Sequence, residues 1–357
     1  MLRRLVLALA LPLALVQPAP AAEKASDVIA RAVDGFVRPA YAGLRDRAAS
    51  MSGAMKSLCE APSPEHVEAA RARFSGLVEA WSRAEIIRFG PITQDNRLER
   101  LLFWPDRKGI GLRQVQAVLA TKDESAADAA GVAHKSVAMQ GLGALEFVLY
   151  GTGADQLAAA GDPYRCAYGQ AVAGNIERIA TEVAREWDEP DGFAATWATP
   201  GPDNAIYRDG NEAVTELVGA FIEGLDIVRD VRVKGFLGRQ ADADKPRLAI
   251  YWRSDNTARS LAANLAGMDA LFQASKLGEA LPEKDRWIAE SIHIQLVNGA
   301  DTARQAVGPI DAVLGNPERR ALLEHFSLIT SSLSNLFGTR LTAAFGLTAG
   351  FSSLDGD

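Results

Sequence analysis

Histidine is scarce in this sequence, and none of its four copies (His66, His134, His293, His325) is followed by Glu-x-x-His, which excludes the helical zinc-protease arrangement. A G-x-S-x-G nucleophile elbow is also missing. The "GIG" at Gly109 and "GLG" at Gly141 lack both the third glycine and the strand-turn-helix setting of a dinucleotide fingerprint. Basic residues are outnumbered, 38 against 45 acidic, for a formal charge of −7, so nucleic acid is not an expected partner. Long apolar runs are lacking too. The longest, Leu5–Val16, is about a dozen residues and well short of the roughly 20 that span a bilayer as a helix.

That short run has another reading. Arg3 and Arg4 precede it and "APAA" (Ala19–Ala22) follows, the pattern of a cleaved secretory leader over residues 1–22, and the dibasic start with its small-residue ending suits a bacterial periplasm. No cysteine lies near the cleavage point, which disfavours a lipid anchor. Losing both arginines makes the remaining chain two units more negative. Only Cys59 and Cys166 occur, and an even pair in an oxidising compartment implies one disulfide. Two thiols could instead bind metal, but nothing pairs them with histidines at zinc-finger spacing.

Apolar residues recur at three- and four-residue steps almost throughout, as in Val28, Ile29, Ala32, Val33, Phe36 and Val37. Similar patterns run over 67–87, 172–187, 214–231, 261–272, 288–297 and 322–345, while clean alternation is rare. The expected class is all-α, with about eight or nine helices separated by proline- and glycine-rich breaks at 60–65, 89–96, 104–111, 188–193, 198–204 and 315–318. Short connections favour antiparallel bundles. The loop around Pro200 is the candidate boundary between an N-terminal half (23–200) and a C-terminal half (201–357). Leu101–Leu119 and Leu248–Leu265 resemble one another: an aromatic followed by Trp, a polar turn with Asp and Arg, then an amphipathic helix. A pseudo-repeat of two bundles would account for this.

Glu146 is the sharpest single residue. It sits in "MQGLGALEFVLYG" among Leu142, Leu145, Phe147, Val148 and Leu149, where a charged, buried and unpaired carboxylate would cost several kcal/mol. It therefore needs a partner. One reading is a strut between helices, held by an arginine or an indole N–H; the other is a metal ligand or proton-handling carboxylate in a cleft.

The ordered motifs "LCEAPSPE", "WSRAEIIRFGPI", "FWPDRKG", "QGLGALEFVLYG" and "RCAYGQA", with "RSDNTARSLAANLAGMDALF" later, resemble the imelysin family of bacterial exported proteins over essentially the whole mature chain. The resemblance implies two helical bundles in the periplasm or outer envelope and a link with iron uptake, possible partners being iron-transport components of the envelope; early family members were described as peptidases. Iron-associated members carry Gly-x-His-x-x-Glu, whose His and Glu share one helical face. Here the motif reads Gly141, Leu142, Gly143, Ala144, Leu145, Glu146, so the glycine and the carboxylate carry over and the imidazole does not. Iron is the one cofactor the resemblance implies, with Glu146 as its ligand, and the lost histidine weakens that binding; a recess or a close helix approach is expected at Gly143.

Residues expected near Glu146 are those in the polar turns of the matched motifs: Arg83, Glu85, Arg88, Trp104, Asp106, Arg107, Arg253, Ser254 and Ser260. Of these, Arg88, Trp104, Asp106, Arg253 and Ser254, with Gly141, Gly143 and Glu146, form the expected ligand site. Asp106 and Ser254 or Asp255 also read as helix N-caps, and Trp81, Phe89 and Phe103 as core. His293 and His325 read as ordinary packed or surface residues. The expected function is non-catalytic ligand or partner binding in iron acquisition, with a structural envelope module and a metallopeptidase as alternatives.

Overall fold

A computed structural model describes residues 20–347 except Ala160, with side chains from Ala25 onward. Of the expected leader, residues 1–19 lie outside the described residues. The fold is all-α, with no strand among the described residues. Ten helices in this range reach ten residues or more: α1 (Pro20–Ala32), α2 (Arg38–Glu60), α3 (Pro64–Ala84), α4 (Ile110–Thr121), α5 (Gly141–Tyr150), α6 (Pro163–Asp188), α7 (Gly210–Asp226), α8 (Thr257–Ser275), α9 (Arg286–Gln305) and α10 (Pro317–Asn335).

Several helix starts share one local cause. Ser63, Asp162 and Asn316 each accept a backbone N–H from the first turn, and each is followed by proline at the first helical position. Proline loses nothing there because that N–H has no intrahelical partner, and such a cap is worth about 1 kcal/mol. Buried residues then follow helical spacing, as with Tyr41, Leu44, Ala48, Met51, Met55 and Leu58 on α2.

Three π-helical turns interrupt this regularity: Val33–Val37 joins α1 to α2, Ile227–Val233 extends α7, and Leu336–Leu341 extends α10. The periodic reading passed over them because one inserted residue barely disturbs a three-and-four pattern.

Helix α2 packs against α3 and α6, α3 against α8, α8 against α9, and α9 against α10. Helix α1 packs against α7 and α8, and a single cluster of buried apolar side chains runs through helices on both sides of residue 200. The loop around Pro200 is pinned by Trp197, whose indole N–H donates to Ala213 O (3.0 Å) and whose ring meets Phe89 edge-on at 4.8 Å.

Helices α2 and α6 are antiparallel: Arg38 at the start of α2 donates to Trp187 O near the end of α6 (3.0 Å). At the opposite ends Cys59 and Cys166 form the expected disulfide, with their Cα atoms 5.6 Å apart. The bridge spans 107 residues of sequence, so in the chain-entropy model it stabilises the fold by about 4–5 kcal/mol. Denaturant unfolding of Cys59→Ser/Cys166→Ser against the oxidised wild type should show a loss of this order. Unchanged stability would mean that the α2–α6 interface needs no covalent link.

Candidate functional site

Helix α5 begins where the chain presses on residues 100 and 101. Gly141 has φ +72°, and a Cβ there would lie 2.4 Å from both Arg100 O and Leu101 O, so only glycine fits. The rest of α5 is buried nearly all round, with one gap: Gly143 is exposed, and a Cβ there would meet nothing within 4 Å. Of the two expectations for Gly143, the recess is therefore correct and the close helix approach is not. One turn later, on the same face, stands Glu146.

Glu146 is 5% exposed. Its partner is neither an arginine fork nor an indole but Ser254, 108 residues away, which donates its backbone N–H (3.1 Å) and its hydroxyl (2.7 Å) to the same oxygen, Oε1. Burial pushes the Glu146 carboxyl above the usual glutamate range. The Ser254 hydroxyl, the charge of Arg253 and the backbone N–H groups of both residues pull the other way without cancelling it.

The turn that presents Ser254 is strained. Tyr251 (φ +55°) and Asp255 (φ +58°) are non-glycine residues in the left-handed region, a conformation that costs of order 1–3 kcal/mol each and persists only where the surroundings enforce it. Here Asn256 accepts no choice of rotamer: its amide spans Ser254 O and Ser75 Oγ (3.1 Å each), while the Thr257 hydroxyl donates to Ile250 O (2.6 Å). Neither Ser254 nor Asp255 caps α8: the helix starts at Thr257, Asn256 occupies the cap position, and Ser254 is turned inward to Glu146.

Glu146 and Gly143 line a cavity of about 540 Å³. One wall comes from residues 103–115 and 138–147, the other from 230–235 and 247–253, so both turns of the proposed sequence repeat reach it. Trp104, Asp106, Arg107 and Arg253 line it as expected, and Ser254 stands behind it holding Glu146. Asp106 also works as a cap, accepting from Ile110 N (2.6 Å) and Leu112 N (3.2 Å). Phe103, expected in the core, is only partly buried and lines the cavity.

Other expected residues stand elsewhere. Arg88 pairs with Glu223 (3.4 Å) and lines a separate cavity, Gly141 serves the helix start, and Arg83 lies over Phe36. Glu85 is a second buried carboxylate, and it does have the arginine fork: Arg232 reaches both its oxygens (2.6 and 2.8 Å), and Asn264 donates to one of them (2.6 Å). Ser260 bonds Ser82 beside this pair (2.7 Å).

Sequence reasoning missed Tyr251, Trp252, Phe147 and Arg247 in the cavity wall. The Tyr251–Trp252 pair stands in one of the two sequence segments that resemble one another. Arg232 had no signal at all, since the π-turn Ile227–Val233 directs it to Glu85 while Asp230 and Val231 line the cavity. Tyr251 lies between the two carboxylates, and its buried hydroxyl has no hydrogen-bond partner among the described residues.

A metal fits this site poorly. Among the described residues no three His, Cys, Asp or Glu side chains gather as a metal site. His293 binds Asp269 (2.7 Å), His134 closes the short helix Ala129–Ala133, and His325 is exposed; none lines the cavity.

The sequence pattern of the imelysin (peptidase M75) family matches residues 37–335. The chain belongs to the imelysin family. It is 24% identical over 304 residues to iron-regulated protein A of Synechococcus elongatus, covering 80% of this chain and 77% of that one. The solved imelysin-like protein of Psychrobacter arcticum superposes with a TM-score of 0.74 at 18% identity, covering 92% of this imelysin-family chain and 98% of its own. A putative iron-regulated protein A precursor of Parabacteroides distasonis gives 0.71 at 14% identity, covering 93% and 97%. At these identities the structural likenesses speak for the fold. No described helix is long and apolar enough to cross a membrane.

The two glycines of the family motif should respond oppositely to alanine. Gly143→Ala should stabilise by about 1 kcal/mol through helix propensity, and Gly141→Ala should destabilise by more than that, from positive φ and backbone collision. Thermal melts of the two variants decide it, and equal effects would contradict the assignment.

The raised Glu146 pKa means that the native state binds this proton more tightly than the unfolded chain. That contribution is fully present below the ordinary glutamate value of about 4.3 and is lost as pH rises through the higher native value. Glu146→Gln lacks the titration. Its melting temperature relative to wild type should climb as pH is raised from 4 to 8, and a flat difference would show that Glu146 titrates normally.

Proposed function

We propose that this chain is a non-catalytic ligand-binding protein of the periplasm acting in iron acquisition, and that its ligand enters the cavity between α5 and the Tyr251–Ser254 turn. The relatives named as iron-regulated support the iron-related role. One observation carries the choice of site: a buried carboxylate, held by the Ser254 hydroxyl and N–H with no arginine fork, stands one turn from a glycine that opens onto empty space.

The donor set makes a bare iron ion an unsuitable cargo. Metal-assisted hydrolysis asks for about three protein ligands and an open position, and among the described residues no three His, Cys, Asp or Glu side chains gather, so peptidase chemistry has little support here.

Isothermal titration with ferrous iron, ferric iron and haem, on wild type and Glu146→Ala, tests the reading. At least one probe should bind wild type and lose tenfold or more in the variant, with the circular dichroism spectrum retained. No binding, or equal affinity together with a lowered melting temperature, would make Glu146 a strut and the protein a structural module of the envelope.

A further inference from the structure

The acidic side chains around the cavity, Asp106, Glu146 and Asp230, are hydrogen-bonded to groups other than its three arginines. Asp106 is committed to the start of α4, and Asp230 is held by Arg229 (2.9 Å) and Lys234 (2.5 Å). Glu146 is taken by Ser254. What remains is a set of three guanidinium groups, those of Arg107, Arg247 and Arg253, and none of the three has a hydrogen-bond acceptor or a carboxylate in ion-pair contact among the described residues.

Arg253 is the informative one, because it is only partly exposed. Its guanidinium lies 4.4 Å from the Trp252 ring centre and 5.5 Å from that of Phe147, and Arg247 approaches the same indole at 5.7 Å. Aromatic contact leaves the planar face of a guanidinium satisfied and its N–H edge without an acceptor. A half-buried arginine with no acceptor in a cavity wall is poised for a carboxylate or phosphate, which its fork can hold bidentately. Burial pushes the Arg253 pKa down, Glu146 opposes it and Arg247 adds to it, and the charge of an incoming anion would favour the protonated guanidinium.

Size and lining complete the description. A volume of about 540 Å³ falls in the range of small-molecule sites, and Trp104, Phe103, Phe147 and Trp252 supply flat apolar walls.

We infer that the cavity takes an organic anion, a molecule with a flat apolar body and a carboxylate or phosphate, whose charged end docks on Arg253 with Arg247 alongside. This rests on the cavity being the binding site, as proposed above, and adds the class of ligand. A cation as cargo would leave the three guanidinium edges without acceptors; an anion, free or wrapped around a metal, would supply them.

The test uses matched probes: 2-naphthoate and 1-naphthyl phosphate as anions, and 2-naphthamide as the neutral isostere, titrated calorimetrically into the intact protein. At least one anion should bind tenfold or more tightly than the amide, the better anion identifying carboxylate or phosphate. Arg253→Gln should cost the anions at least tenfold more affinity than it costs the amide, and so abolish that preference. Equal affinity for anion and amide, unaffected by Arg253→Gln, would overturn the inference, as would a failure of all three probes to bind. Gly143→Trp, or Gly143→Leu should the first misfold, fills the cavity from an open position and separates the two claims. If it blocks all binding, the cavity stands as the site whatever the charge preference; if binding survives it, the ligand sits elsewhere and both claims fall.

Discussion

The site depends on the contact between Ser254 and Glu146. It joins two segments 108 residues apart, and it does so with a neutral donor on a buried acid. Hydrogen bonds to a charged group contribute about 1.5–3 kcal/mol, less than the cost of an unneutralised buried carboxylate, so the acid's affinity for protons rises instead. The strain at Tyr251 and Asp255 follows from the same need, because the turn must bring both the N–H and the hydroxyl of Ser254 to one oxygen.

Glu85 shows what a purely structural acid looks like in the same molecule. Arg232 grips both its oxygens, Asn264 adds a bond, and all three are buried. The chain evidently can supply an arginine fork to a buried carboxylate. At Glu146 the nearby arginine, Arg253, is stacked on aromatic rings instead. Two buried acids with opposite solutions, one sealed and one at a cavity wall, separate scaffold from candidate site more clearly than burial alone.

Much of the fold was legible in the sequence. Cap-then-proline starts at Ser63, Asp162 and Asn316, the three-and-four spacing and the glycine-proline breaks are local signals, and local signals survive without knowledge of the tertiary structure. The Cys59–Cys166 pair could be read because only one pairing existed. Within the site, Glu146, Gly143 and Arg253 were found because an acid, a missing imidazole and a basic turn stood out against their surroundings. Arg88 points to Glu223 because its place within a matched motif says nothing of the direction a side chain takes from the loop after α3. Arg232 was invisible because a π-turn sets its direction, and Phe103 was assigned to the core because an aromatic ring looks the same in a core and in an apolar cavity wall.

The central claim is that Glu146 is a buried acid steadied first by a serine, the charge of Arg253 nearby being too little to neutralise it. Carbon-13 NMR of the side-chain carboxyl of Glu146, assigned by its loss in Glu146→Gln and followed as pH is raised, reads this directly. The account predicts a midpoint above the free-glutamate value of about 4.3 that moves higher still in Ser254→Ala. A midpoint at or below that value would mean that a positive charge neutralises the acid, and the distinction drawn between Glu146 and Glu85 would be lost.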